Sequence, residues 1–348
     1  MDLDWIGQFE DRKKDHIRVA LNPDTQVPHL SGFDLIHLVH EAIPDVNFSD
    51  VSIASEVFSH SVAAPLFVSS MTAGHSQGEG INNILAEACV QRGWAMALGS
   101  QRRELADATN GQISESARLR QKFPNLILFG NIGITQLIEF GPEAVLQMIE
   151  GMRPQGLFIH SNPLQEALQE SGTPQFKGSW RSLEALTKIS SVPVIVKEVG
   201  CGFSKATLAR LKNCGVAAVD LAGLGGTHWG RVEGLRQTEN SLGRLASLSF
   251  QDWGHSIVDS LRSAIEVNPK YEIWGSGGVR SGHDAAKLLA MGAKKVGVAQ
   301  PIMSSATKGL AEVLKLMELY EFELKLSLFC TGYSDLQGFQ QGDVWQWK

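Results

Sequence analysis

Eight short runs rich in β-branched and aromatic residues recur along this chain, most of them separated by a stretch with helical spacing of apolar residues. The runs span 66–70, 95–98, 126–129, 156–160, 194–197, 217–221, 271–274 and 296–299. The helical spacing is clearest over 81–91, 183–189, 205–212 and 284–289. Strands that are apolar along their whole length belong to a parallel sheet covered on its outer face. Eight such units close most naturally into a (β/α)8 TIM barrel, an α/β fold; an open doubly wound sheet is the weaker alternative. The 35 glycines among 348 residues, roughly 10% against an average of about 7%, suit the tight turns such a barrel needs. Residues 1–60 stand outside the rhythm, with a charged run at 10–18 and a β-rich stretch at 46–58. The expected division is an N-terminal extension, 1–60, and a barrel, 61–348. About thirty residues rich in Gly, Ser and Arg lie between Leu221 and the next expected helix near Trp253. They are expected to form a long loop that covers the site or joins subunits.

The stretch Trp274-Gly-Ser-Gly-Gly-Val-Arg-Ser-Gly282 leaves the seventh run, turns through glycines and enters a helix-patterned segment. A turn of this kind presents backbone N–H groups at a helix N-terminus, where hydrogen bonding and the dipole both favour a phosphate. A phosphate grip between the last two strands is a recurrent position in barrels. The net charge of −6 gives no electrostatic footprint for nucleic acid or an anionic membrane, so any anion site must be built locally. Cys89, Cys201, Cys214 and Cys330 show neither CxxC nor metal-site spacing. No signal-peptide core or bilayer-length apolar run is present. A soluble, cytoplasmic protein is expected.

Barrel sites are built where strands end. The strand ends here read Ser69-Ser-Met-Thr72, Gly99-Ser-Gln-Arg102, Gly130-Asn131, His160-Ser-Asn162 with Gln165-Glu166, Lys197-Glu-Val-Gly200 and Gly223-Leu-Gly-Gly-Thr227. Taken singly, most have ordinary uses: Ser70 and Thr72 suit caps, Asn131 a turn, Glu166 a helix start, His160 a satisfied structural histidine, and Arg12, Lys13 and Lys14 a solvated face. Lys197 is different, because it follows Pro-Val-Ile-Val and a buried lysine is costly unless paired.

Taken together, the motifs resemble those of the type 2 isopentenyl-diphosphate isomerases, FMN-dependent barrels. The most specific parts are Arg12-Lys-Lys-Asp-His16, Ser69-Ser-Met-Thr72, Gly99-Ser-Gln-Arg102 and Asn162…Gln165-Glu166, and the resemblance runs from Arg12 to about Pro301. The chain departs from the family pattern at Ala73, His75 and Ser161 and over Glu170–Pro174. The resemblance implies that Ser70, Met71, Thr72, Ser100, Asn131, Lys197 and Thr227 hold the flavin ring and ribityl chain. It implies that Gly277, Gly278 and Val279, with Ala299 and Gln300, hold the FMN phosphate. Arg12, Lys13, His16 and Arg102, with Ser100, Gln101 and Gln165, would bind a diphosphate substrate, and Glu166 would hold Mg²⁺. Gln165, His160 and Asn162 would line the reacting end, with reduced FMN as the acid–base group and NADPH as reductant. A homo-oligomer, tetramer or octamer, is also implied.

One alternative enzyme class stays open at this level. An FMN-dependent 2-hydroxy-acid oxidase or dehydrogenase uses a His–Arg pair near the sixth and seventh strands, and His228 and Arg231 stand in that region. A non-enzymatic phosphate-binding barrel is the other.

Overall fold

The computed structural model describes residues 18–71, 76–107 and 113–348. Three short strands come before the barrel: β1 (Ile36–Leu38), β2 (Ser55–Val57) and β3 (His60–Val62). The barrel strands are β4 (Leu66–Val68), β5 (Ala95–Ala97), β6 (Leu128–Gly133), β7 (Gly156–Ser161), β8 (Val194–Glu198), β9 (Ala218–Asp220), β10 (Glu272–Gly275) and β11 (Lys295–Val298). They pair in chain order, all parallel, and β11 returns to β4 with Val296 opposite Leu66, which closes the barrel. All eight expected strands are therefore present. A last strand, β12 (Trp345–Trp347), pairs antiparallel with β1.

The inside of the barrel is filled from one end. Phe67, Phe129, Phe158 and Trp274 are fully buried within it, with ring centroids 5.7 Å apart for Phe129–Phe158 and 5.9 Å for Phe158–Trp274. Facing strands contribute Ala95, Ala97 and Ala218, so large and small side chains interdigitate at crystal-like density. The antiparallel β2–β3 hairpin adds Phe58, whose ring stacks 5.3 Å from Trp274. With this end plugged, the barrel's cavity lies where the strands end.

Helices cover the outside, and serine side chains start several of them. Ser256 and Ser281 accept the backbone N–H groups of Asp259 and Asp284 at 2.9 and 3.0 Å, satisfying donors that a helix start leaves unpaired. Helices Lys205–Leu211 and Gly282–Ala290 sit where helical spacing placed them. Among the described residues no helix is long and apolar enough to cross a membrane.

Two expectations change. The stretch after β9 contains helices Trp229–Arg236 and Leu242–Ser249 rather than one long loop. Its polar residues act as caps, Ser241 accepting from Arg244 N–H at 3.1 Å. Its apolar stripe, Leu242, Leu245 and Leu248, is turned outward, at 87%, 51% and 51% exposure. In the 46–58 stretch only Ser55–Val57 is a strand, and Phe48–Asp50 forms a 3-10 turn.

Candidate active site

A cavity of about 250 Å³ opens at the C-terminal ends of the strands. Its wall includes Ser70, Met71, Ser100, Arg102, Asn131 and His160, then Gln165, Glu166, Lys197 and Thr227. Gly277, Gly278, Val279, Ala299 and Gln300 complete it on the β10–β11 side. These are most of the residues expected to form the site. Arg12, Lys13, His16 and Thr72 lie outside the described residues.

Two expected contacts are turned elsewhere. Gln101 is buried and does not line the cavity. Its amide donates to Glu104 Oε2 at 2.7 Å, and its Oε1 accepts the Asn131 N–H at 2.9 Å. Asn162 is likewise buried off the wall, where its Oδ1 caps a helix by accepting Gln165 N–H at 2.8 Å. Both residues thus hold neighbours that do reach the wall, Asn131 and Gln165.

At the expected phosphate end, Gly277 and Gly278 have φ of +101° and +78°, values that residues with a Cβ avoid. A Cβ on Gly278 would lie 2.4 Å from Gly225 C, and one on Gly277 2.2 Å from Gly223 O. The turn therefore has to be glycine, and bare backbone borders the cavity. Opposite, helix Gln300–Ala306 starts at Ala299 with no side-chain cap. The N–H groups of Gly277 and Gly278 make no backbone hydrogen bond among the described residues, and with the uncapped helix start opposite they suit an anion, as the expected FMN phosphate requires. Farther in, the Ser70 hydroxyl is buried with no hydrogen-bond partner among the described residues, as a wall waiting for a polar ring edge would be. The donors and the orphaned hydroxyl fit FMN.

Charge in the site is concentrated on a few groups. Lys197, nearly buried, lies 3.0 Å from Asp220 Oδ2. Burial, and then the charge of Lys197, hold the His160 imidazole down to about 4, so the ring is neutral near pH 7. Its Nδ1 sits 2.9 Å from Asn131 Oδ1. Glu198, next along β8, turns away and accepts the N–H groups of Val199, Cys201 and Gly202 at 2.6, 2.5 and 3.1 Å. Burial raises its carboxyl to about 7 despite those three donors and Lys197.

Gln165 donates to Glu233 at 3.2 Å, and Glu233 is buried against Arg236 at 2.7 Å. Glu166 Oε2 accepts Thr173 N–H at 2.7 Å, and Oε1 takes no hydrogen bond from a described residue. No cluster of three or more His, Cys, Asp or Glu suited to a metal occurs among the described residues. A Mg²⁺ held there would draw its other ligands from substrate oxygens and water, as Mg²⁺ commonly does.

Sequence reasoning missed several wall residues. Ala20 and Leu21 reach the cavity from the N-terminal segment. Arg280 lines it and donates to Gln26 Oε1 at 3.0 Å, while Gln26 Nε2 donates to Thr227 Oγ1 at 3.0 Å. Arg280 lies inside the glycine-rich phosphate motif, which was the available signal; nothing in the sequence marked Gln26.

The His–Arg alternative fails on geometry. His228 is fully buried and off the cavity wall; its Nδ1 accepts Arg231 N–H at 3.2 Å, and its Nε2–H donates to Trp253 O at 3.2 Å. The Arg231 guanidinium is tied to Asp252 at 2.8 Å, Gln251 O and Asp24 O. Neither side chain is free to meet a carboxylate or abstract a proton in the cavity.

Comparison with known proteins agrees with this geometry. The model of the FMN-dependent dehydrogenase family matches residues 133–346. Solved structures share the fold at low identity. A mutant flavocytochrome b2 with benzoylformate has a TM-score of 0.70 at 18% identity, covering 95% of this chain and 82% of that one. A mandelate oxidase mutant with (S)-mandelic acid has a TM-score of 0.65 at 16% identity, covering 98% and 97%. Sequence relatives are far nearer. An isopentenyl-diphosphate delta-isomerase of Legionella pneumophila (strain Paris) is 51% identical over 94% of this chain and 95% of the relative. Enzymes of the same name from Bdellovibrio bacteriovorus and Synechocystis are 46% identical (98% and 99% covered) and 38% identical (96% and 95% covered). With an FMN-dependent barrel, a cavity that fits FMN, and relatives of this identity across nearly its whole length, the chain belongs to the type 2 isopentenyl-diphosphate delta-isomerase family.

Proposed function

We propose that this chain interconverts isopentenyl and dimethylallyl diphosphate by a 1,3-allylic proton shift, serving isoprenoid biosynthesis. The observation that carries this reading over 2-hydroxy-acid oxidation is which residues face the cavity. His160, Gln165 and Glu166 line it, whereas His228 and Arg231 are locked into helix capping and surface ion pairing.

FMN, when bound and reduced, supplies the acid–base group and the electron-rich ring that the shift needs. The chain's own residues do the rest. Gly277, Gly278, Val279, Ala299 and Gln300 would hold the phosphate, and Ser70, Met71, Thr72, Ser100, Asn131, Lys197 and Thr227 the remainder of the cofactor. Lys197 would bring a buried ammonium, partly offset by Asp220, toward the negative charge of a reduced flavin. Neutral His160, with Gln165, offers polar contacts at the reacting end without a cation that would repel developing carbocation charge. Asn162 and Gln101 act one step back, by fixing Gln165 and Asn131.

The diphosphate would be held by Arg12, Lys13, His16 and Arg102, with Glu166 carrying Mg²⁺ against its oxygens. A well-placed proton donor contributes roughly 10²–10⁴-fold, so burial and charge complementarity must supply much of the remaining rate. We further propose NADPH as reductant, a cytoplasmic homo-oligomer, and a division into extension 1–60 and barrel 61–348. Mixing Arg12→Ala and Glu166→Ala subunits tests whether sites are shared between subunits, since shared sites recover activity above either parent.

The test is anaerobic incubation of the purified protein with FMN, Mg²⁺, dithionite and isopentenyl diphosphate, followed by product separation. Dimethylallyl diphosphate is expected. A protein that binds FMN, forms no such product and oxidises a 2-hydroxy acid instead overturns the proposal.

A further inference from the structure

Asp220 is fully buried at the end of β9 and does not line the cavity, yet both groups it touches do. Its Oδ1 accepts the Ser276 hydroxyl at 2.6 Å. Its Oδ2 lies 3.0 Å from Lys197 Nζ, an ionic contact without good hydrogen-bond alignment. Lys197 Nζ in turn donates to Ser276 Oγ at 3.2 Å. The three side chains form a closed triangle from β8, β9 and the turn after β10. Because the Ser276 proton is committed to Asp220, its oxygen is left to accept from Lys197. Two directions of the ammonium are thereby fixed, and its remaining donor capacity is directed by elimination.

A buried ion pair is weak evidence for stability, since desolvation offsets most of the attraction. Packing alone would be served as well by an apolar pair, so the position of the charge is what the triangle secures. Lys197 paired with Asp220 presents an oriented ammonium whose net field is much reduced by the adjacent carboxylate. The reduced flavin carries more negative charge than the oxidised one, so the size of that field sets how strongly reduction is favoured.

We propose that Asp220 is a positioning residue that acts through Lys197 and Ser276 to set the reduction potential of the bound flavin. This rests on the reading that the cavity takes FMN. With Asp220 neutralised, the uncompensated ammonium would favour the reduced flavin over the oxidised one.

The experiment is the midpoint potential of FMN-loaded wild type, Asp220→Asn, Lys197→Met and the Lys197→Met/Asp220→Asn double variant, measured by dye equilibration. Asp220→Asn is expected to bind reduced over oxidised FMN about tenfold more selectively, which for a two-electron couple is an upward shift of about 30 mV. In the Lys197→Met background Asp220 has no ammonium left to orient or offset. The double variant is therefore expected to match Lys197→Met. An unchanged or lowered potential in Asp220→Asn overturns the proposal. Should that variant not fold, a double variant whose potential differs from that of Lys197→Met overturns it on its own, because Asp220 would then act without Lys197. A wild type that binds no FMN would instead overturn the reading of the cavity, an outcome distinct from either.

Discussion

Replacing Gly278 by alanine tests the proposed phosphate turn at its tightest point. Gly278 has a φ of +78°, and a Cβ there would lie 2.4 Å from Gly225 C, 2.5 Å from Gly225 O and 2.8 Å from Gly225 Cα. The left-handed conformation alone costs a residue with a Cβ roughly 1–2 kcal/mol. The overlap is with backbone, which cannot rotate aside, and forcing atoms into a packed site costs about 1–3 kcal/mol more. A total of about 3 kcal/mol corresponds to roughly a hundredfold change in an equilibrium constant. That penalty is shared between the folding of the apo-protein and the closing of the turn on FMN, so both must be measured. The assay is a fluorescence titration of apo-protein with FMN, together with thermal unfolding of the apo form. Gly80→Ala is the control: Gly80 is exposed in helix Ser76–Arg92 and nothing lies within 4 Å of its would-be Cβ. That change is expected to be neutral or to stabilise by roughly 0.5–1 kcal/mol. A Gly278→Ala protein with wild-type melting and FMN affinity within about threefold of wild type, well short of a hundredfold loss, would mean that the turn tolerates a Cβ.

Further outcomes follow from other parts of the molecule. Phe158→Ala opens the plugged end of the barrel and is expected to cost roughly 3–5 kcal/mol in denaturant unfolding, with FMN affinity of the folded protein retained; a loss below about 1 kcal/mol, smaller than any large-to-small core change of this kind, contradicts the packing described. Glu198 has a folded-state value of about 7 against an ordinary 4.5, so its contribution to stability is full below pH 4.5 and is lost as pH rises through 7. Glu198→Gln removes that titration, and the stability difference, variant minus wild type, should climb across this window by up to about 3 kcal/mol; a flat or falling difference in apo-protein melts refutes the assignment. Glu166→Gln should raise the Mg²⁺ concentration for half-maximal activity about tenfold or more, the loss of a charged ligand, and leave FMN titration unchanged; an unaltered Mg²⁺ requirement removes Glu166 from the metal site.

Much of this architecture was legible in the sequence because barrel strands are buried on both faces and so read as unbroken apolar runs. The turn at Gly277 and Gly278 was legible because only glycine satisfies its backbone. Other features depend on contacts that sequence does not encode locally. Asp220 ends an ordinary strand-like run, and its partner Ser276 lies 56 residues away. Gln101 and Asn162 stand at strand ends where cavity residues occur, but the direction of a side chain there depends on the neighbouring strand and helix start. The two helices after β9 are short and lie in a stretch rich in Gly, Ser and Arg, a composition that reads as loop.

A barrel built like flavin oxidases is proposed here to run a reaction with no net oxidation. The most direct measurement counts dimethylallyl diphosphate formed per NADPH consumed, anaerobically, with FMN and Mg²⁺ present. Product should accumulate to equilibrium while NADPH loss stops once the bound flavin is reduced. NADPH consumed in step with product would mean a net redox reaction instead.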